Sequence, residues 1–210
     1  PGMNGIGVWR YNTFAHGQQV TLTAVPNAGY HFVRWTEGGA EVSTENPFVF
    51  TAEGDRDLTA HFELNTYTVT ASADPLGGGT VTGAGTYTHG QQVTLTADPG
   101  TGYRFVRWTE GGNQVSTANP YEFTAASDRN LTAVFALNTY AISCSVSPAG
   151  SGSVTGAGNY THGQQVTLAA NPNTGYRFLR WTEGGSEVST ANPYVFSADR
   201  DRALAAHFAK

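Results

Sequence analysis

Residues 102–112 read GYRFVRWTEGG, and the phrase returns at 29–39 as GYHFVRWTEGG and at 175–185 as GYRFLRWTEGG. In an extended chain side chains alternate sides, so Tyr103, Phe105 and Arg107 share one face and Arg104, Val106 and Trp108 the other. Large apolar groups on both faces leave two accounts: a central strand covered on both sides, or a bulge that swings Trp108 back onto the core. Either makes the phrase a scaffold strand, with Gly102 and Gly111-Gly112 turning the chain at its ends.

The phrase belongs to a longer repeat. Arg34-Trp35, Arg107-Trp108 and Arg180-Trp181 are 73 residues apart, as are the GQQVTL segments that begin at 17, 90 and 163, and Asn65-Thr66-Tyr67 with Asn138-Thr139-Tyr140. The copies therefore run 1–64, 65–137 and 138–210. Within the middle copy, YTVTASA (67–73), TVTGAGTY (80–87), QQVTLTA (91–97), YRFVRW (103–108), PYEFTA (120–125) and NLTAVFA (130–136) predict about six strands. Pro-Gly, Gly-Gly, Asn-Pro and Ser-Asp-Arg turn signals separate them, and no segment carries a helical period. With one cysteine and no metal motif, a copy of this size has only a small core, which its aromatics must supply. The expected core is Trp35, Trp108 and Trp181 with Tyr30, Phe32, Tyr103, Phe105, Tyr176 and Phe178.

Composition narrows the chemistry. Charged residues are 13% of the chain, about half the usual share, with 26 glycines and a net charge of -5. A phosphate-binding surface needs clustered Lys and Arg, so nucleic acid is an unsuitable partner. Lysine occurs only at Lys210, which excludes a lysine to asparagine cross-link inside a copy, and the lone Cys144 reads as an inert thiol in an alternating run. No apolar run approaches the length that spans a bilayer, and no basic-then-apolar leader opens the sequence. His16, His89 and His162 precede the Gly of GQQVTL and read as turn residues, with no second ligand at metal spacing. His61 and His207 stand where the middle copy has Val134, so that position is not catalytic. Asp55-Arg56-Asp57, Asp128-Arg129 and Asp199-Arg200-Asp201 read as Asp-led turns rather than calcium loops. Asn130-Leu131-Thr132 and Asn159-Tyr160-Thr161 match the glycosylation pattern at the rate a Thr-rich chain produces by chance. Enzymes commonly carry their sites on unique loops, whereas almost everything here recurs, so no catalytic residue and no cofactor is expected.

The spaced set of Tyr67 and Val69; Gly77 to Gly79; Gly85, Tyr87, Gly90, Val93, Leu95, Ala97 and Pro99; Gly102, Tyr103, Phe105 and Trp108; and Leu131, Ala133 and Phe135 resembles the divergent branch of the internalin B-repeat family. The resemblance covers essentially the whole chain. It implies a small β-rich module, likened in the wider family to a β-grasp, arrayed in tandem on secreted or surface-anchored bacterial proteins as a spacer, adhesive stalk or interaction surface. It carries over no catalytic residue. One departure is Arg34, Arg107 and Arg180 before the tryptophans, where the wider family has a small residue; these mark a candidate interaction surface.

The expectation is thus an all-β tandem array of three small modules, β-grasp-like or small sandwiches, extracellular and non-enzymatic, whose first partners are its own neighbouring copies. Two alternatives stand beside the stalk. Three exposed tryptophans at fixed spacing would suit a polysaccharide. Aligned on its siblings, the first copy starts at the position of Asp74 and lacks a counterpart of NTYTVTASA. That is either a boundary within a longer protein or a place where another copy of the protein donates the strand, end to end.

Overall fold

The chain is built from strands and turns alone: no helix occurs among residues 12–210, which the computed structural model describes. The first eleven residues of the first copy lie outside them. In the first copy the strands are β1 (Gln19–Leu22), β2 (Tyr30–Glu37), β3 (Ala40–Ser43), β4 (Phe48–Thr51) and β5 (Leu58–Leu64). The middle copy holds β6 (Thr66–Asp74), β7 (Gly79–Thr82), β8 (Gly85–Thr88), β9 (Gln92–Pro99), β10 (Tyr103–Glu110), β11 (Asn113–Ser116), β12 (Tyr121–Thr124) and β13 (Arg129–Leu137). The third holds β14 (Thr139–Ser147), β15 (Gly152–Thr155), β16 (Gly158–Thr161), β17 (Gln165–Pro172), β18 (Arg177–Glu183), β19 (Ser186–Ser189), β20 (Tyr194–Ser197) and β21 (Arg202–Ala209). Two compact units result. One takes residues up to Thr70 with Gly83–Leu95 and Glu122–Asn130; the other takes Ala71–Thr82, Thr96–Tyr121 and Leu131–Lys210.

The third copy, which lies wholly in the second unit, shows the module complete. A five-stranded sheet, β16-β14-β21-β18-β19, faces a three-stranded one, β15-β17-β20. Pairing is antiparallel except between the copy's first and last strands, β14 and β21, which run parallel with Ile142 opposite Arg202 and Val146 opposite Ala206. The core lies between the sheets. Ile142, Trp181, Leu204, Ala206 and Phe208 come from the larger sheet, and Val166, Leu168 and Ala170 from the smaller. This arrangement is a small two-sheet sandwich.

Eight strands replace the expected six, for two local reasons. The run TVTGAGTY and its counterpart in the third copy each divide at a glycine, because Gly156 has φ +93° and a Cβ there would lie 2.0 Å from the Thr167 carbonyl oxygen. The break sends β15 to pair with β17 in one sheet and β16 to pair with β14 in the other. The second addition comes from the Gly-Gly pairs. Gly184 and Gly185, at φ +55° and +85°, form a two-residue turn of the kind that matches sheet twist, and β19 folds back on β18.

The repeated phrase is a bulged strand. Against β21, the register of β18 shifts between Phe178 and Arg180, as that of β10 does between Phe105 and Arg107 and that of β2 between Phe32 and Arg34. The extra residue resets the alternation, so phenylalanine and tryptophan point the same way. Their rings meet at 5.6 Å in the first two copies and 5.4 Å in the third, and each phenylalanine packs edge-on against the phenylalanine of the copy's last strand.

Candidate functional site: the junction between copies

Successive copies are joined by a single residue. Asn65 alone separates β5 from β6, and Asn138 alone separates β13 from β14. Both backbone groups of each asparagine are used. The N–H of Asn65 donates to the Gly29 carbonyl at 2.8 Å, behind it in sequence, while its carbonyl accepts from the N–H of His89 at 2.8 Å, ahead of it. Asn138 repeats this with Gly102 at 2.8 Å and His162 at 2.9 Å. A one-residue linker held on both sides has little freedom to swing.

The histidine ring completes the contact. A Cβ on Gly29 would lie 2.0 Å from Cδ2 of His89, and one on Gly102 would lie 2.1 Å from Cδ2 of His162. The glycine that opens GYHF or GYRF is therefore a seat: only a residue without a side chain lets the next copy's imidazole rest on the backbone. From the other side, Tyr67 stands edge-on to His89 at 6.0 Å with its hydroxyl 3.4 Å from Nδ1, and Tyr140 holds His162 in the same way. The side chains around the pin differ. In the first junction His31 Nδ1 lies 3.0 Å from Asn65 Oδ1; in the second Arg104 Nη1 donates to the Leu137 carbonyl at 2.6 Å. His16 and Gly175, the corresponding donor and seat without a neighbouring copy, are both exposed, and nothing lies within 4 Å of the space above Gly175.

The other residues singled out in the sequence fall elsewhere. Trp108 and Trp181 are 0% exposed and Trp35 7%, and the indole N–H groups donate to the carbonyls of Ala118, Ala191 and Glu45 at 3.1, 3.0 and 3.2 Å. Enclosed in this way, they offer no face for a sugar to stack on. Tyr30, Phe32, Tyr103, Phe105, Tyr176 and Phe178 are half-buried beside them. Arg34, Arg107 and Arg180 stand across the strands from His61, Val134 and His207, with Arg180 3.9 Å from Glu187. His61 and His207 bond Thr36 and Thr182 through Nε2 at 2.8 and 2.9 Å, while in the middle copy Thr109 donates to a backbone carbonyl instead. Among the described residues, no group of three or more His, Cys, Asp or Glu side chains could hold a metal ion. Burial pushes the Cys144 thiol up.

The Asp-Arg turns do more than reverse the chain. Arg202 forks onto Glu183, with Nη2 to Oε2 at 2.7 Å, and lies 4.4 Å over the Phe196 ring; Arg56 makes the same contacts with Glu37, at 2.7 Å, and Phe50, at 4.8 Å. The guanidinium hydrogen bonds hold both carboxyl groups below their ordinary range. Asp201 Oδ1 accepts the N–H of Ala141 at 2.8 Å, and Asp128 that of Thr68 at 2.7 Å. Each carboxylate thus fixes the start of the strand that enters parallel to the copy's last one.

No helix among the described residues is long and apolar enough to cross a membrane. No curated protein matches the chain. The family model of the divergent InlB B-repeat domain matches residues 1–66, 67–139 and 142–210. Nearly every residue falls within one of those matches, and the chain belongs to the divergent InlB B-repeat family.

Proposed function

We propose that the chain is a non-enzymatic, extracellular spacer: a run of modules on a bacterial surface or secreted protein that holds another part of the protein at a set distance and orientation. The observation that carries this reading is the junction, where a one-residue linker has both backbone groups bonded and the next copy's histidine rests on a glycine. A chain selected only to connect would tolerate loose Gly- or Ser-rich linkers, whereas a spacer benefits from copies that cannot pivot. Surface location is supported by the family, whose repeats are typically extracellular. An adhesive role would place ligand contacts on outward groups such as Arg34, Arg107 and Arg180 rather than on the enclosed tryptophans.

Two experiments test this. Antibody raised against the folded chain should label intact, unpermeabilised source cells or their culture medium; signal only after lysis would refute the location. A panel of polysaccharides presented to the purified chain should give no retention. Saturable binding that Arg107→Ala and Arg180→Ala abolish would replace the spacer reading with an adhesin.

A further inference from the structure

The two ends of the array are complementary. The third copy offers the seat: Gly175 has φ +85°, open space above it, and Arg177 two residues on. Ala209 pairs with Arg177 across the sheet, which brings the terminal Lys210 to the same end. The first copy offers the donor: His16 is exposed on its turn, and that turn is pinned to the segment beginning at Ala52 by Gly17 N–H to Ala52 carbonyl and Ala52 N–H to Gln18 carbonyl bonds, both 2.8 Å. Glu53, Asp55 and Asp57 follow directly and are exposed.

Charge is distributed to match. Residues 1–64 hold seven acidic side chains against three basic, residues 65–137 five against three, and residues 138–210 four against five. The array is acidic where it offers the histidine and slightly basic where it offers the glycine. Opposite charge at the two ends steers like molecules into head-to-tail contact and disfavours head-to-head contact.

We infer that the Gly175 face of one molecule binds the His16 face of a second copy, repeating between chains the contact that Gly29 with His89 and Gly102 with His162 make within one. This rests on the reading of the junction as the coupling between copies. The bridging asparagine has no counterpart between the two faces, so the contact keeps the ring on its seat and the charge pairing but loses the two backbone bonds. The association is correspondingly weak and salt-sensitive. Because the two faces differ, the contact does not close on itself and leads to open strings.

Sedimentation velocity of the 210-residue chain, from about 10 µM to about 1 mM, tests this. The parent should form dimers and longer species, with an association constant at least about tenfold weaker in 0.5 M salt than in 0.05 M. Gly175→Ala, whose Cβ would occupy the seat, and His16→Ala, on an exposed turn, should each remain monomeric with melting temperatures close to the parent's. Mixed in equal amounts they should form a species of two chains and no larger one, since each variant keeps the face the other has lost. A parent that is monomeric throughout, variants that associate like the parent, or a mixture that stays monomeric would each overturn the inference. The contacts inside one chain are read separately, by the tumbling of neighbouring copies, so failure here leaves the spacer reading to stand or fall by itself.

Discussion

In the third copy Trp181 is 0% exposed and Phe208 5%. In the first, Trp35 is 7% exposed and Phe62, the counterpart of Phe208, is only half-buried. The two copies share their central phrase almost letter for letter, so local sequence does not make the difference. What differs is the neighbour of the last strand. β21 lies between β18 and the parallel β14, whereas the sheet of the first copy, β3-β2-β5, has β5 at its edge among the described residues. Asn12–Ala15 are irregular where the third copy has β16, because β16 pairs with β14. One parallel strand therefore closes the core, completes the sheet and gives the next edge strand something to bond.

The largest consequence concerns the tryptophans. Trp181→Ala should cost about 3–5 kcal/mol, the usual range for truncating an enclosed aromatic ring. Trp35→Ala should cost less, by about 1 kcal/mol, because a less enclosed site relaxes more readily around the void. Denaturant unfolding followed by the fluorescence of the remaining tryptophans measures both; equal losses would mean that the parallel strand adds nothing to the enclosure.

A smaller difference should separate the aspartates that begin the last turn. Asp201→Ala removes the acceptor of the Ala141 N–H and should cost about 1 kcal/mol. Asp55→Ala, in a copy whose described residues include no strand at that place, should change stability by less than about 0.5 kcal/mol. Thermal melts of the two variants compare them directly, and matching losses would show that the carboxylate acts through the turn itself.

The smallest effect depends on pH. The folded chain holds the Glu183 carboxyl below its ordinary value through Arg202, so this group stabilises the fold above that ordinary value, and the contribution disappears as pH falls through the lowered one. Glu183→Gln should therefore lower the melting temperature most at pH 7 and progressively less towards pH 3. A penalty that stays constant with pH would show that the glutamate contributes through shape rather than charge.

The strands that carry large alternating side chains were legible in the sequence, because period-two patterning follows directly from half-buried sheet. The bulge was legible only as one of two choices, since Phe105 and Trp108 on opposite faces of a regular strand had to be reconciled with one core. β11 was not legible, because Asn113 and Gln114 show no apolar alternation and the strand exists through the Gly111-Gly112 turn before it. The junction was hidden differently. Gly29 and His89 stand 60 residues apart, as do Gly102 and His162, and both members of each pair recur with the repeat. Such recurrence reads as two features of one module, while the contact joins one module to the next. His16, His89 and His162 were placed on turns, and only the space over glycine shows what that turn is for in the middle and third copies.

The most direct test of the coupling is nitrogen-15 relaxation of backbone amides in the 65–137 and 138–210 copies, in the parent and in Gly102→Ala. The parent should give one rotational correlation time for both copies, and the variant, with a methyl group where the His162 ring sits, should give two distinct and shorter ones while each copy stays folded. Two separate correlation times already in the parent would contradict the account, for the asparagine and the seated histidine would then not be holding the copies together.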